Sequence, residues 1–311
     1  MYPLTLTRPK PMLKAANKTL LEHNLDYLNG MVNEAIIVVG YKKEMIKKHL
    51  GKNYSGIKLR FAEQKKQLGT GNALLAAENL IKDDFISLYA DDLYSKEDVA
   101  NIQKFEYSIL VRKVENPAAF GVIVEKNKML FDIIEKPQAF ISNTVNTGLY
   151  KMDRKIFPAL KSLKKSLRGE YELTDALRHF ASKYEVRCVS SRHWIPIGYP
   201  KDLLKADRIL RKGKNVIGKN TKIYGDVEDS SIGDNCVVKG TVSGSILMDC
   251  TFVDGKSSVT GSIIGENVYI GGTSTNNVIA DNVRAVNVDI MDGVKVHPNK
   301  NIKGKIMHDV E

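Results

Sequence analysis

Asp91 and Asp92 follow directly on the apolar run Phe85–Tyr89 (FISLY) and Ala90. A short unbroken apolar run reads as a buried strand, and ligands of α/β sheets sit at the carboxyl ends of strands. The two carboxylates therefore stand where a bound molecule would be met. That molecule is expected to be anionic, because 47 basic residues outweigh 36 acidic ones for a formal net charge of +11. Nucleic acid and phosphorylated small molecules both fit such a charge. The lysines are scattered in pairs, Lys42–Lys43, Lys47–Lys48, Lys65–Lys66 and Lys164–Lys165, with no long basic run, which argues against nucleic acid. Cys188, Cys236 and Cys250 are odd in number and far apart, so neither a disulfide framework nor a zinc site is expected. Each is read instead as a small buried apolar residue.

The elements that hold these residues read as alternating strands and helices over residues 1–210. Ala35–Val39 (AIIVV), closed by Gly40, is a second buried strand, and Lys43–Leu50 and Asn72–Leu80 are helical between the runs. Such alternation predicts an α/β domain with a parallel sheet and helices on both faces. Ser108–Arg112, Gly121–Glu125 and Leu130–Ile134 are expected strands of a less regular layer over the site. Thr174–Tyr184 is an expected helix with Thr174 as N-cap, and Pro200–Leu210 another with proline near its start. With 311 residues, 43% of them apolar, the chain is long enough for two domains, and no signal peptide or membrane-length apolar run occurs. A cytoplasmic protein with no membrane partner is expected.

Residues 211–214 (RKGK) read as a linker, and the texture changes after them. Aromatic residues thin out and aliphatic residues recur six apart: Ile217 and Ile223, Ile232 and Val238, Ile246 and Phe252, Ile264 and Ile270, then Ile290, Val296 and Ile302. Ile-Gly pairs recur at Ile217, Ile232, Ile264 and Ile270. A six-residue step sends one aliphatic side chain inward per short strand, with Gly or Asn at corners that need positive φ. Residues 215–311 are thus a left-handed parallel β-helix of hexapeptide-like coils, and the regular Ile-Gly placement decides against an irregular β-sandwich.

Six segments in this order resemble the sugar-1-phosphate nucleotidyltransferase family, in particular archaeal bifunctional forms with a β-helical acetyltransferase tail. They are PLTLTRPKPML (Pro3–Leu13), EQKKQLGTGNAL (Glu63–Leu74), EKP (Glu135–Pro137), VNTGLY (Val145–Tyr150), GEYELTDAL (Gly169–Leu177) and IGYPKDLL (Ile197–Leu204). The resemblance implies a Rossmann-like domain in which a sugar-1-phosphate attacks the α-phosphorus of UTP or dTTP and releases pyrophosphate. By the same resemblance Lys10 contacts phosphate, and Gln64, Gly69 and Thr70 read the base. Asp91 binds Mg²⁺, and Gly121, Glu135, Lys136 and Asn146 hold the sugar and its phosphate. Assembly as a homo-trimer through the β-helix is also implied.

The chain departs from the family pattern in three places. The family's opening strand and GxGTR loop would precede Met1, so the expectation is an upstream start or a decayed gene. Pro196 stands where a second acidic metal ligand is usual, with Asp202 as a substitute. In the tail, Gly255 or Lys256 falls at the position of the acetyltransferase base, the only tail histidines are His297 and His308, and the lysine-bearing loop after IGGTSTNN is missing. Acetyl transfer is therefore the less favoured activity. The standing alternative to a nucleotidyltransferase is a non-catalytic paralogue with a regulatory or scaffolding role.

Overall fold

A computed structural model describes all residues, 1–311. The chain divides into two compact units, Asn24–Trp194 and, discontinuously, Met1–His23 with Ile195–Glu311. The change in composition near residue 211 marks where the coils begin. The units divide elsewhere, because the first 23 residues and the helix Pro200–Arg211 pack within the unit that contains the coils.

In the unit Asn24–Trp194, strand Glu34–Val39 pairs in parallel with Ile57–Glu63, which also carries the short strand Asn53–Tyr54. A six-stranded sheet runs in the order Phe85–Leu88, Thr144–Met152, Ser108–Lys113, Arg187–Ser190, Met129–Glu135, Gly121–Lys126. The alternation of strands and helices is as expected, but this sheet is mixed. Phe85–Leu88 pairs antiparallel with Thr144–Met152, and only Ser108–Lys113 and Arg187–Ser190 run parallel. The long central strand Thr144–Met152, buried at eight of nine positions, enters between the others and reverses their sense.

Helices form where periodicity predicts them, with shifted ends. Lys43–Leu50 matches, and the helix expected over Asn72–Leu80 spans Thr70–Ala76. The helix expected from Thr174 runs Leu173–Ala181, with Glu172 rather than Thr174 at the cap position. Its Leu173, Thr174, Ala176, Leu177 and Phe180 are buried, a spacing that turns one stripe inward. Leu173, Ala176, Leu177 and Phe180 join Leu74, Ile109, Ile123, Ile133, Tyr150 and Phe157 in one core, where each large side chain contributes about 1.5–3 kcal/mol.

In the other unit, Val216–Ile306 forms a parallel β-helix. Ser231–Ile232 pairs with Val216–Ile217 before it and Ile246–Leu247 after it, a step of 15 residues each way, and Ile246 to Ile263 is a step of 17. The coils are thus shorter than three full hexapeptides, and the six-residue step holds along part of each. Ile232, Val238, Ile264, Ile270, Ile290, Val296 and Ile302 fill the interior as expected, whereas in the coil read as Ile246 and Phe252 the next residues, Leu247 and Val253, join the interior cluster and the partly buried Phe252 stacks on Tyr269. Ile217 and Ile223 remain exposed, since their strands are the outermost of the sheets and no coil covers them.

One corner carries Asn220, Asn235, Cys250, Asn267, Asn282 and Asn299, all at positive φ. Hydrogen bonds between side-chain amides link Asn220 to Asn235 (3.3 Å), Asn267 to Asn282 (2.9 Å) and Asn282 to Asn299 (3.0 Å). Cys250 holds a rung of this ladder and is exposed, which corrects its reading as a buried residue; Cys188 and Cys236 are buried.

Residues 211–214 are firmly tied at their first residue. The buried Arg211 guanidinium bonds Asp207 (2.6 Å), the Lys214 carbonyl (2.6 Å) and Asp229 (3.2 Å). Asp207, itself buried, also accepts from Ala16 N (2.7 Å) and Ser231 Oγ (2.6 Å). No helix is long and apolar enough to cross a membrane.

Candidate active site

Gln64, Gly69 and Thr70 lie in one loop, laced to the segment Glu170–Leu173. Tyr171 N donates to Leu68 O (2.8 Å), Gly71 N to Tyr171 O (2.8 Å), and Leu173 N to Thr70 Oγ1 (3.0 Å). Gly69 has φ +104° and ψ 175°, and a Cβ there would stand 2.7 Å from Tyr171 O. This close approach of chain to chain already requires glycine. Gln64 Nε2 donates to Gly69 O and Asn72 Oδ1, both at 3.0 Å, so its hydrogens hold the loop and Oε1 is the group left to accept from a ligand.

Gly121, Glu135 and Asn146 come together from three strands. Gly121 pairs with Glu135 in the ladder, and a Cβ at Gly121 would stand 2.8 Å from Glu135 Oε2 and 3.7 Å from Asn146 Cβ. The missing side chain is what admits the carboxylate. Asn146 is aimed by an irregularity: the pairing of Thr144–Met152 with Ser108–Lys113 shifts register between Asn146 and Tyr150. Its Nδ2 donates to Tyr150 Oη (2.7 Å) and its Oδ1 accepts from Gly148 N (2.9 Å). Lys136 follows Glu135 with φ +44° and an exposed side chain, its backbone N bonded to Phe120 O at 3.1 Å.

Sequence reasoning did not single out the residues that finish this floor. Tyr89 closes the FISLY run, bonds Thr70 and Tyr150 (Oη to Oη 3.4 Å), and is pushed up to about 12, chiefly by burial. It stays a neutral hydroxyl donor. Arg168 lies 3.5 Å from Glu135 Oε1 and 3.4 Å from the buried Glu172 Oε1. Burial, then the Glu172 charge, raises the Glu135 carboxyl above its ordinary range despite Arg168 and Lys136. Tyr89 could have been flagged by its place at a strand end, and Glu172 by its motif; Arg168 carried no signal.

The turn Ala90–Asp92 is held by the buried Asn24, whose Nδ2 donates to Ala90 O (3.4 Å) and Asp92 O (2.8 Å). Asp92 Oδ2 accepts from Trp194 Nε1 (3.1 Å), which gives that carboxylate a structural task, and Asp91 adds negative charge near Tyr89. Asp202, the suggested substitute ligand, instead caps its helix, with Oδ2 accepting from Gly198 N (3.0 Å) and Tyr199 N (2.7 Å). No three His, Cys, Asp or Glu side chains stand close enough to enclose a metal ion. That donor set suits a cation held mostly by phosphate oxygens and water with one or two carboxylates.

Lys10 lies in the other unit, half-buried in a short turn Lys10–Met12 between Pro9 and Pro11. In the tail, strand Tyr269–Thr275 is followed almost at once by Val278–Ile279, so no lysine-bearing loop intervenes. His297 packs edge-on against Tyr2, ring centroids 4.8 Å apart.

A mixed sheet whose strand ends present a glycine-framed carboxylate, tyrosine hydroxyls and an acidic turn, followed by a β-helix, defines a class of enzymes that handle phosphorylated sugars and nucleotides. The chain belongs to the nucleotidyl transferase family, which it matches over residues 1–213, and residues 213–307 match the GlmU-like C-terminal hexapeptide family. It is 35% identical to the bifunctional protein GlmU of Methanococcus maripaludis strain C5, over 97% of this chain and 82% of that one. To the UTP–glucose-1-phosphate uridylyltransferase AglF of Haloferax volcanii it is 33% identical, over 68% of this chain and 92% of that one. Among solved structures, a putative glucose-1-phosphate thymidylyltransferase from Bacillus anthracis superposes with a TM-score of 0.62 at 26% identity, covering 68% of this chain and 90% of that one. The Haloferax relative is named for its action on UTP and glucose-1-phosphate, and the Bacillus structure for thymidylyl transfer to glucose-1-phosphate.

Proposed function

We propose that the chain transfers a nucleotidyl group from UTP or dTTP to a sugar-1-phosphate and releases pyrophosphate. The supporting observation is the polar floor of Gly121, Glu135, Asn146, Tyr89 and Thr70, which offers a carboxylate and neutral hydroxyls to a sugar. Glu135 accepts sugar hydroxyls, Lys136 pairs with phosphate, and the Gln64–Thr70 loop reads the base, with Gln64 Oε1 accepting from the imide N–H that uracil and thymine share. Lys10 lends a cation to the phosphates. Asp91 would hold Mg²⁺, which when bound neutralises charge on the triphosphate. The β-helix assembles the chain as a trimer, and its tail performs no acetyl transfer. A cytoplasmic location suits these substrates.

A second reading, a non-catalytic relative that keeps ligand binding, is favoured by one observation: Asp202 is held as a cap, and Pro196 offers no ligand oxygen. The test is pyrophosphate release from UTP and glucose-1-phosphate with Mg²⁺. Turnover is expected, falling about 100-fold or more in Asp91→Ala. An unchanged rate in Asp91→Ala would remove the metal assignment. A protein that binds both substrates and releases no pyrophosphate would establish the second reading.

A further inference from the structure

The segment that carries Lys10 is pinned to the β-helix along an acidic corner. Asp234, Asp249, Glu266 and Asp281 stand on successive coils at that corner. Asp249 Oδ1 accepts from Asp234 N (3.0 Å), and Asp281 Oδ1 from Glu266 N (2.7 Å). Asp249 Oδ2, Glu266 Oε1 and Asp281 Oδ2 meet the N-terminal segment. Arg8, with 4% of its side chain exposed, donates from NH1 to Glu266 Oε1 (2.5 Å) and from NH2 to Asp281 Oδ2 (2.6 Å). Lys14 Nζ reaches Asp249 Oδ2 (2.6 Å), and Asn17 Nδ2 donates to Ile232 O (2.6 Å).

Lys10 lies between these pins. Its backbone is fixed by the turn Met12 N to Pro9 O (2.9 Å) and Leu13 N to Lys10 O (3.0 Å), with Met12 and Leu13 buried behind it. The flanking prolines fix φ on either side. A guanidinium held by two carboxylates is a fork with defined orientation, more than a simple hydrophobic anchor would give. Burial alone would weaken its charge, yet Glu266 and Asp281 outweigh burial and raise its pKa. Only Pro9 separates the fork from Lys10, so the pin on Arg8 also holds the backbone from which the Lys10 side chain leaves.

We propose that Arg8 is a positioning residue, and that Glu266 and Asp281 on the β-helix fix, through it, the place of the Lys10 ammonium for a nucleoside triphosphate. The inference rests on the proposed role of Lys10 in phosphate contact. It gives the β-helix a part in nucleotidyl transfer beside assembly, since an aligned cation serves a phosphoryl group far better than one free to wander.

The experiment is calorimetric titration of the full chain with UTP and, separately, with glucose-1-phosphate. The variants are Lys10→Ala, Arg8→Ala, Arg8→Lys, Glu266→Gln with Asp281→Asn, and the acid pair combined with Lys10→Ala. Lys10→Ala is expected to weaken UTP binding about tenfold, the scale of one charge-assisted contact. The acid pair should weaken UTP to a similar degree, leave glucose-1-phosphate within about twofold, and add nothing once Lys10 is alanine. Arg8→Lys should recover part of the affinity that Arg8→Ala loses. The proposal is overturned if the acid pair leaves UTP unchanged, weakens both ligands alike, or adds in full to Lys10→Ala. No effect of Lys10→Ala overturns it too, but through the role of Lys10; an effect there with silent acid variants removes the clamp alone. Should the double variant fail to fold, Glu266→Gln alone carries the same comparison, because 39% of that side chain is exposed.

Discussion

Replacing Gly69 with alanine tests whether the base-side loop owes its shape to contact between two chain segments. The backbone there, at φ +104° and ψ 175°, is one that only glycine adopts readily, and an L-residue in it costs about 1–3 kcal/mol. The added Cβ would meet Tyr171 O at 2.7 Å and Tyr171 N at 2.9 Å. Both are main-chain atoms, so no rotamer change relieves the overlap. Moving the segments apart stretches Tyr171 N to Leu68 O and Gly71 N to Tyr171 O, bonds worth about 0.5–1.5 kcal/mol each. The total is about 3 kcal/mol, or about 150-fold in the closed-to-open ratio of the loop. Native-state hydrogen exchange at the Tyr171 and Gly71 amides reads this directly. Exchange at both should quicken by about two orders of magnitude, and UTP affinity should fall with it. If those amides keep their protection in the folded variant, the interlock is not what shapes the loop.

Glu135→Gln should change the pH dependence of stability. Burial and then Glu172 raise the folded pKa of Glu135 above its unfolded value, so its favourable contribution is fully present below the unfolded value and lost as pH rises through the raised one. The glutamine variant lacks this loss. Urea midpoints should place the variant above the wild type at pH 7.5, with the advantage shrinking as pH falls through the carboxylate range; a constant gap would refute the raised pKa. A thiol reagent at pH 8 should modify one of three cysteines quickly, with that phase lost in Cys250→Ser. Burial raises Cys188 to about 12 and Cys236 to about 11, whereas Cys250 is exposed, so two fast thiols would contradict the packing.

Much of the fold was legible because it follows local rules. Lys43–Leu50, the strand ending in FISLY and the interior of the coils rest on periodicity that survives any tertiary context. The mixed sense of the six-stranded sheet was not legible, since strand direction depends on which strand enters between others, and that is settled by non-local pairing. The site was legible in its motif residues and obscure in their partners. Gln64 was read as a contact to the base, but its two hydrogens are taken by Gly69 and Asn72, a contact that spacing does not reveal. Arg8 lay in plain view inside RPKPM, yet Glu266 and Asp281 are more than 250 positions away in sequence.

The asparagine corner of the β-helix has a mechanical side. A stack of coils behaves as a one-dimensional lattice, in which each layer is secured chiefly by the layers it touches. Side-chain amides bolt Asn220 to Asn235, and Asn267 through Asn282 to Asn299. At Cys250 the thiol has no amide to offer, and the main-chain bond from Cys250 N to Asp234 O (2.8 Å) carries that corner. The rod is thereby scored at one layer. Unravelling that starts from the uncovered first coil has a natural place to halt there, leaving the layers that grip Arg8 standing after the outer ones have come undone.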